Sequence, residues 1–439
     1  MRKIAFFLLT ALVALPLSSQ GFGFGFDNED TDNSVGGSTL AVSIGNSSVT
    51  LSIGGRISFH AIGFYEDFSN GADKTRFGDL FSAKLNFTAT SSLAKGVINL
   101  NLRPTISPVA IDEAYLLVYL GKLDLTAGLR KLSWGKADML GTLDVINPVN
   151  YSNLSNLGDI TSLKIARPLV HASLYLGQFS KLEGVFVFTF EPDYFAESGR
   201  WCPPQFATLS QLQIIRPDTS TIDYAQTGAR FTTTIMNVAD VGVQYYYGRL
   251  TTPAVTRTLR ATMPPLPVVT FAYNPYHQIG LDYAQVLAGF NIRAEAAVNI
   301  TEDFNGDDST VYNPSLAWSL GFDRELFWGI KLTAQCNEKI KLLTGKINNP
   351  ADIEYDADVT STLLIARASK TFLRDELEVI ASVIWDIESG AALIMPSITW
   401  TKSDFAFELS TGIFAGSNKG LFGQFHNNSF IKLGVKYTF

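Results

Sequence analysis

Covalent or acid–base catalysis needs a base within reach of a nucleophile, and the four histidines of this chain, His60, His171, His277 and His426, are scattered with no recognisable partner pattern. The 439 residues contain neither a Gly-x-Ser-x-Gly elbow nor a His-Glu-x-x-His metal helix. Asp303, Asn305, Asp307 and Asp308 gather hard oxygen ligands around Gly306, yet they lack the spacing and the closing glutamate of an EF-hand. They read as an acidic hairpin tip, and Asp352, Glu354, Asp356 and Asp358 read as a second exposed acidic loop. The sequence therefore predicts no enzyme, no metal site and no cofactor.

Charge recurs instead at one parity of alternating segments. Lys122, Asp124, Thr126 and Arg130 alternate with Leu123, Leu125, Ala127 and Leu129, while Asn291, Arg293, Glu295 and Asn299 alternate with Ile292, Ala294, Ala296, Val298 and Ile300. Arg56, Lys84, Arg103 and Lys331 occupy the polar parity of similar runs. A period of two is that of a β-strand, whose neighbouring side chains point to opposite faces. If such strands close into a membrane barrel, these polar positions face the lumen, where Arg56, Lys84, Arg103, Arg130, Arg293 and Glu295 become candidate pore-lining residues. Basic residues are in excess, and rings of charge in a pore bias ion passage, here towards anions.

A barrel is favoured over a soluble sandwich by three features. The strands run to ten residues or more, which suits the ~9–11 tilted residues needed to cross a bilayer. Aromatics gather near strand ends, as at Phe64 with Tyr65, Tyr245 to Tyr247, Trp400 with Phe405, and Tyr437 with Phe439, which fits interfacial girdles. The last strand alternates Ile431, Leu433, Val435, Tyr437 and Phe439 with Lys432, Gly434, Lys436 and Thr438. This ending resembles the C-terminal recognition strand that the barrel-assembly machinery reads in bacterial outer-membrane proteins, so Phe439 is the expected handle for that partner.

Export is predicted by Met1, Arg2 and Lys3 followed by the apolar stretch from Ile4 to Leu17, a secretory signal. Beyond it, the most apolar window, Ala261 to Leu281, holds Pro264, Pro265, Pro267 and Pro275 and cannot be a regular membrane helix. A net charge of -7 and no basic cluster exclude nucleic acid as a partner. Cys202 and Cys336 lie far apart and read as two unpaired thiols.

The run from Ala127 to Pro148 carries Gly128, Arg130, Trp134, Gly135, Asn147 and Pro148. It resembles a porin-like outer-membrane family of poorly known function, whose members carry a strand ending in Gly-Arg-Gln, then Trp-Gly, then Asn-Pro. Here Leu129 separates glycine from arginine, and Lys131 stands where the family has glutamine. The resemblance implies passage of small, often hydrophobic compounds, as in fatty-acid channels. The segment after Arg130 is long enough to fold inward and narrow a pore, with Trp134 and Asn147 as its anchors and Pro148 limiting its freedom.

Together these features predict an all-β, antiparallel transmembrane barrel of about sixteen strands, with a margin of two either way. Residues 1–20 form the signal, 21–48 a periplasmic leader and 49–439 the barrel. The expected function is passive diffusion of small, hydrophobic molecules across the bacterial outer membrane, in contact with its lipids and with small-molecule solutes. The alternative is an adhesin binding through long loops, above all Glu191 to Thr221 with Trp201, Cys202, Pro203 and Pro204.

Overall fold

A computed structural model describes residues 38–44, 47–69, 81–103, 107–158, 160–204, 206, 212–260, 266–418 and 420–439. The expected signal peptide and most of the leader lie outside them. In chain order the strands are β1 (Ser38–Ile44), β2 (Ser47–Phe64), β3 (Phe81–Thr90), β4 (Ala94–Arg103), β5 (Ser107–Leu120), β6 (Leu123–Arg130), β7 (Arg167–Tyr175), β8 (Ser180–Val187) and β9 (Gln213–Ile215). They continue as β10 (Gln226–Ile235), β11 (Ala239–Arg249), β12 (Ala254–Arg260), β13 (Leu266–Ala272), β14 (Pro275–Leu287), β15 (Phe290–Thr301), β16 (Ser315–Glu325), β17 (Lys331–Lys341), β18 (Thr360–Phe372), β19 (Leu377–Asp386), β20 (Ala391–Lys402), β21 (Phe405–Ala415) and β22 (Phe430–Thr438).

Open sheet edges cannot face hydrocarbon, because each unpaired N–H or C=O there costs several kcal/mol. The sheet accordingly closes: β22 pairs antiparallel with β2 from Arg56 opposite Thr438 to Phe64 opposite Phe430. Eighteen strands make the ring, an even number. The alternation alone predicts about sixteen, and it fades where β7, β8 and β18 lie. There the inner face is apolar too: Leu169, Val185 and Val187 are buried beside the outward Val170 and Phe186, as is Ile365 in β18. Ser38–Ile44, inside the segment read as leader, forms a strand paired with Ser47–Ile53.

The two faces separate cleanly along β14. Ile279 and Leu281 are 52% and 56% exposed on the outside, while Gln278 and Asp282, which flank them, are 2% and 4% exposed on the inside. Connections 121–122, 288–289 and 403–404 are short and share one end, and the long segments 131–166, 188–225, 250–274 and 342–359 share the other. Short turns mark the periplasmic end of such barrels. At the long-loop end β12, β13 and β9 form a small separate sheet.

This assignment of faces has a direct test. Leu281→Arg, an outward position midway along β14, is expected to destabilise the barrel by about 2–4 kcal/mol in urea unfolding from vesicles. Ser397→Arg, on the inner parity of β20, is expected to change it by less than about 0.5 kcal/mol.

Candidate functional site

Residues 131–166 leave β6, enter the lumen and return to β7. Asn147 laces the two limbs at the root. Its Oδ1 accepts from Leu132 N (2.7 Å), and its Nδ2 donates to Arg130 O (3.3 Å) and Ile165 O (2.8 Å). The carbonyl of Pro148 accepts from Ile165 N (2.8 Å). Trp134 is buried with Leu132, Ile146, Val187 and Tyr246, and its ring fills the space that a side chain at Gly228 would take. Arg130 lies over the Tyr115 ring (4.9 Å) and donates to Thr126 Oγ1 (3.0 Å).

The tip of the segment is held by Glu295 of β15. Oε1 accepts from Lys136 N (2.6 Å) and Ala137 N (2.8 Å), and Oε2 accepts from Leu143 N (3.1 Å). Gly135 stands at φ +103°, and a Cβ there would collide with Oε1 of Glu295. Leu140 O accepts from Gln335 Nε2 (2.6 Å) and Asn337 Nδ2 (2.7 Å), and Leu143 O accepts from Gln244 Nε2 (3.0 Å). Leu143 itself is fully buried against Gly280. Further on, Leu154, Leu157 and Leu163 pack on Ile365, Ile384 and Leu393 of the far wall, and Asn156 Oδ1 accepts from Lys432 Nζ (3.1 Å).

Two carboxylates ride on the segment. Asp138 pairs with Arg293, whose guanidinium also meets Asp323 (2.5 Å). Burial pushes Asp138 up to about 6 against the pull of Arg293, and the neighbouring Asp323 adds to the rise. Asp144, paired with Lys164, is likewise raised by burial.

Facing the segment is a wall of one sign. The four adjacent strands β22, β2, β3 and β4 contain no Asp or Glu, and their six cations, Lys432, Lys436, Arg56, Lys84, Lys95 and Arg103, all occupy inward positions. Arg56 stands directly opposite Lys84. From β21, Glu408 pairs with Lys436 (2.6 Å). In the eighteen-strand ring, β14 and β15 lie diametrically across from β2 and β3.

Of the residues singled out from sequence, Arg56, Lys84, Arg103 and Arg293 keep solvent access at inward positions. Arg130, Trp134, Asn147 and Glu295 are 7%, 2%, 5% and 3% exposed: Trp134, Asn147 and Glu295 hold the segment, Arg130 packs on Tyr115 and Thr126 of the wall, and none of the four lines an open passage. Sequence reasoning missed Lys432, Lys436, Lys95 and Asp138 as lumen charges. The first three were legible from the polar parity of their strands, whereas Asp138 sits in a segment without period. Asp303 spends its carboxylate on the backbone N–H groups of Gly306 (2.8 Å), Asp307 (3.1 Å) and Asp308 (3.1 Å), which makes it a turn cap. Cys202 and Cys336 are free thiols. Glu295→Ala removes three anchors at once and is expected to raise single-channel conductance and its noise, with Glu295→Gln intermediate; unchanged traces from Glu295→Ala would mean that the segment is held elsewhere.

No family model matches the chain, and no curated protein matches it in sequence. Solved structures share its architecture. Acinetobacter baumannii OccAB4 superposes with a TM-score of 0.50 at 10% identity, over 89% of this chain and 98% of that one. Pseudomonas aeruginosa OccK3 (OpdO) gives 0.51 at 8% identity, over 89% and 95%, and a second OpdO structure gives 0.52 at 9%, over 89% and 96%. These are outer-membrane porins, and at such identity the likeness is one of fold. The closed antiparallel barrel, with its apolar exterior, places this protein in the bacterial outer membrane.

Proposed function

We propose that this protein is a passive channel for small solutes that carry an anionic group on an apolar body. The observation that carries the reading is the wall of six inward cations, with no carboxylate on its own four strands, set across the lumen from the wall on which the inward-folded segment and its Asp138 dock. Such a one-signed wall orients a solute with its anion towards the strands that carry Arg56 and Lys84. The apolar part finds company on β19 and β20, where Ile380 and Met395 face inward and are only half-buried. This keeps the hydrophobic body expected from sequence and adds a charge to it. The adhesin alternative loses support because its candidate loop is folded down: Trp201 packs on Phe64 (6.0 Å) and Phe414 (5.5 Å), and Arg200 clamps Asp67 (2.8 Å).

In planar bilayers under a salt gradient the reversal potential is expected to show anion preference, and vesicles should take up octanoate faster than octylamine. Replacing Arg56, Lys84 and Arg103 together by Gln should shift both towards cations. Cation preference in the unaltered protein, or indifference to the triple replacement, contradicts the reading. Acidification supplies a separate check. Asp138 has its pKa raised to about 6, so it is charged at pH 7.5 and becomes neutral as pH falls through that value. Anion preference should therefore rise between pH 7 and 5, and Asp138→Asn should show the acid behaviour at neutral pH.

A further inference from the structure

We infer that the periplasmic rim of β16 to β18 is a binding site for the headgroup of an anionic phospholipid. The inference needs the membrane placement of the barrel but not its role as a channel. Arg324 and Lys370 occupy outward, lipid-facing positions on β16 and β18, each over a phenyl ring: Arg324 over Phe290 (4.3 Å) and Lys370 over Phe372 (5.0 Å). Among the described residues neither has an ion pair, although a cation facing the hydrocarbon edge is costly without a counter-charge.

The strand between them, β17, presents the apolar Leu332, which is paired on one side with Arg324 and on the other with Ala368, two positions before Lys370. The two cations are thus two strand spacings apart across the sheet and two residues apart along it, about 12 Å between backbones, and their long side chains bring both charges within reach of a single phosphodiester headgroup. The acidic neighbours are occupied or turned away. Glu325 lies on the inner parity opposite Lys331, Asp375 accepts from Thr371 Oγ1 (2.6 Å), and Glu376 is paired with Lys402 (2.6 Å).

The turn beneath supplies an independent observation. Phe327 and Trp328 are 87% and 84% exposed at the tip joining β16 to β17. Trp328 holds φ +63°, a region that bulky residues rarely adopt. An exposed Phe-Trp tip between two cations matches the headgroup layer, where indole rings and phosphates both reside.

The test is native mass spectrometry of the purified barrel offered equal amounts of phosphatidylglycerol and phosphatidylcholine with identical acyl chains. Phosphatidylglycerol should be retained about tenfold more, given two cations near the surface. Arg324→Gln combined with Lys370→Gln should bring retention to parity, each single replacement should lower it partly, and Lys402→Gln should leave it unchanged. Heat-dependent gel migration verifies that each variant is folded. Equal retention of both lipids by the unaltered barrel overturns the inference, as does undiminished preference in a folded double or single variant. An equal loss in Lys402→Gln also overturns it, by tracing the preference to diffuse rim charge.

Discussion

The tip of the inward segment depends on a single carboxylate. A chain threaded through a lumen has no strand to satisfy its backbone, and each buried N–H left unpaired carries a desolvation penalty. Glu295 accepts three of those N–H groups, and hydrogen bonds to a charged acceptor contribute about 1.5–3 kcal/mol each. The same bonds offset the cost of keeping the carboxylate buried. Gln244, Gln335 and Asn337 then donate to the carbonyls of Leu143 and Leu140, so one polar stripe of β11, β15 and β17 holds the backbone of the tip.

That docking decides where the remaining charges lie. With residues 135–143 fixed against β14 to β17, Asp138 and Asp144 are held on one side of the barrel, and the six cations of β22 to β4 face them across it. Had the segment docked on the opposite wall, it would have covered Arg56 and Lys84 and withdrawn those cations from the passage. Specific hydrogen bonding on one wall thus leaves the opposite, cation-bearing wall facing the passage.

The fold was largely legible because a barrel wall writes itself into the sequence with a period of two. Arg293 and Glu295 could be assigned inward without coordinates, as could Arg56 and Lys84. The alternation fails where the lumen is filled with apolar side chains. In β18 Leu363, Leu364 and Ile365 run together because the inner face packs under Leu154, Leu157 and Leu163 of the segment, and in β7 Leu169 is buried beside the outward Val170. The strand count fell short there for that reason. The motif Trp134-Gly135…Asn147-Pro148 marked where the segment begins and returns. Its contact with Glu295, more than 150 residues away in sequence, left no local trace.

The most direct measurement of whether this segment sets the passage is polymer exclusion in single-channel recordings, with poly(ethylene glycol) of graded size added to the unaltered barrel and to one in which residues 135–143 are replaced by a Gly-Ser chain. The expected result is that the replaced barrel, still heat-modifiable, conducts more and admits polymers that the unaltered one excludes. An identical size cut-off in the two would contradict the assignment of residues 135–143 as the constriction.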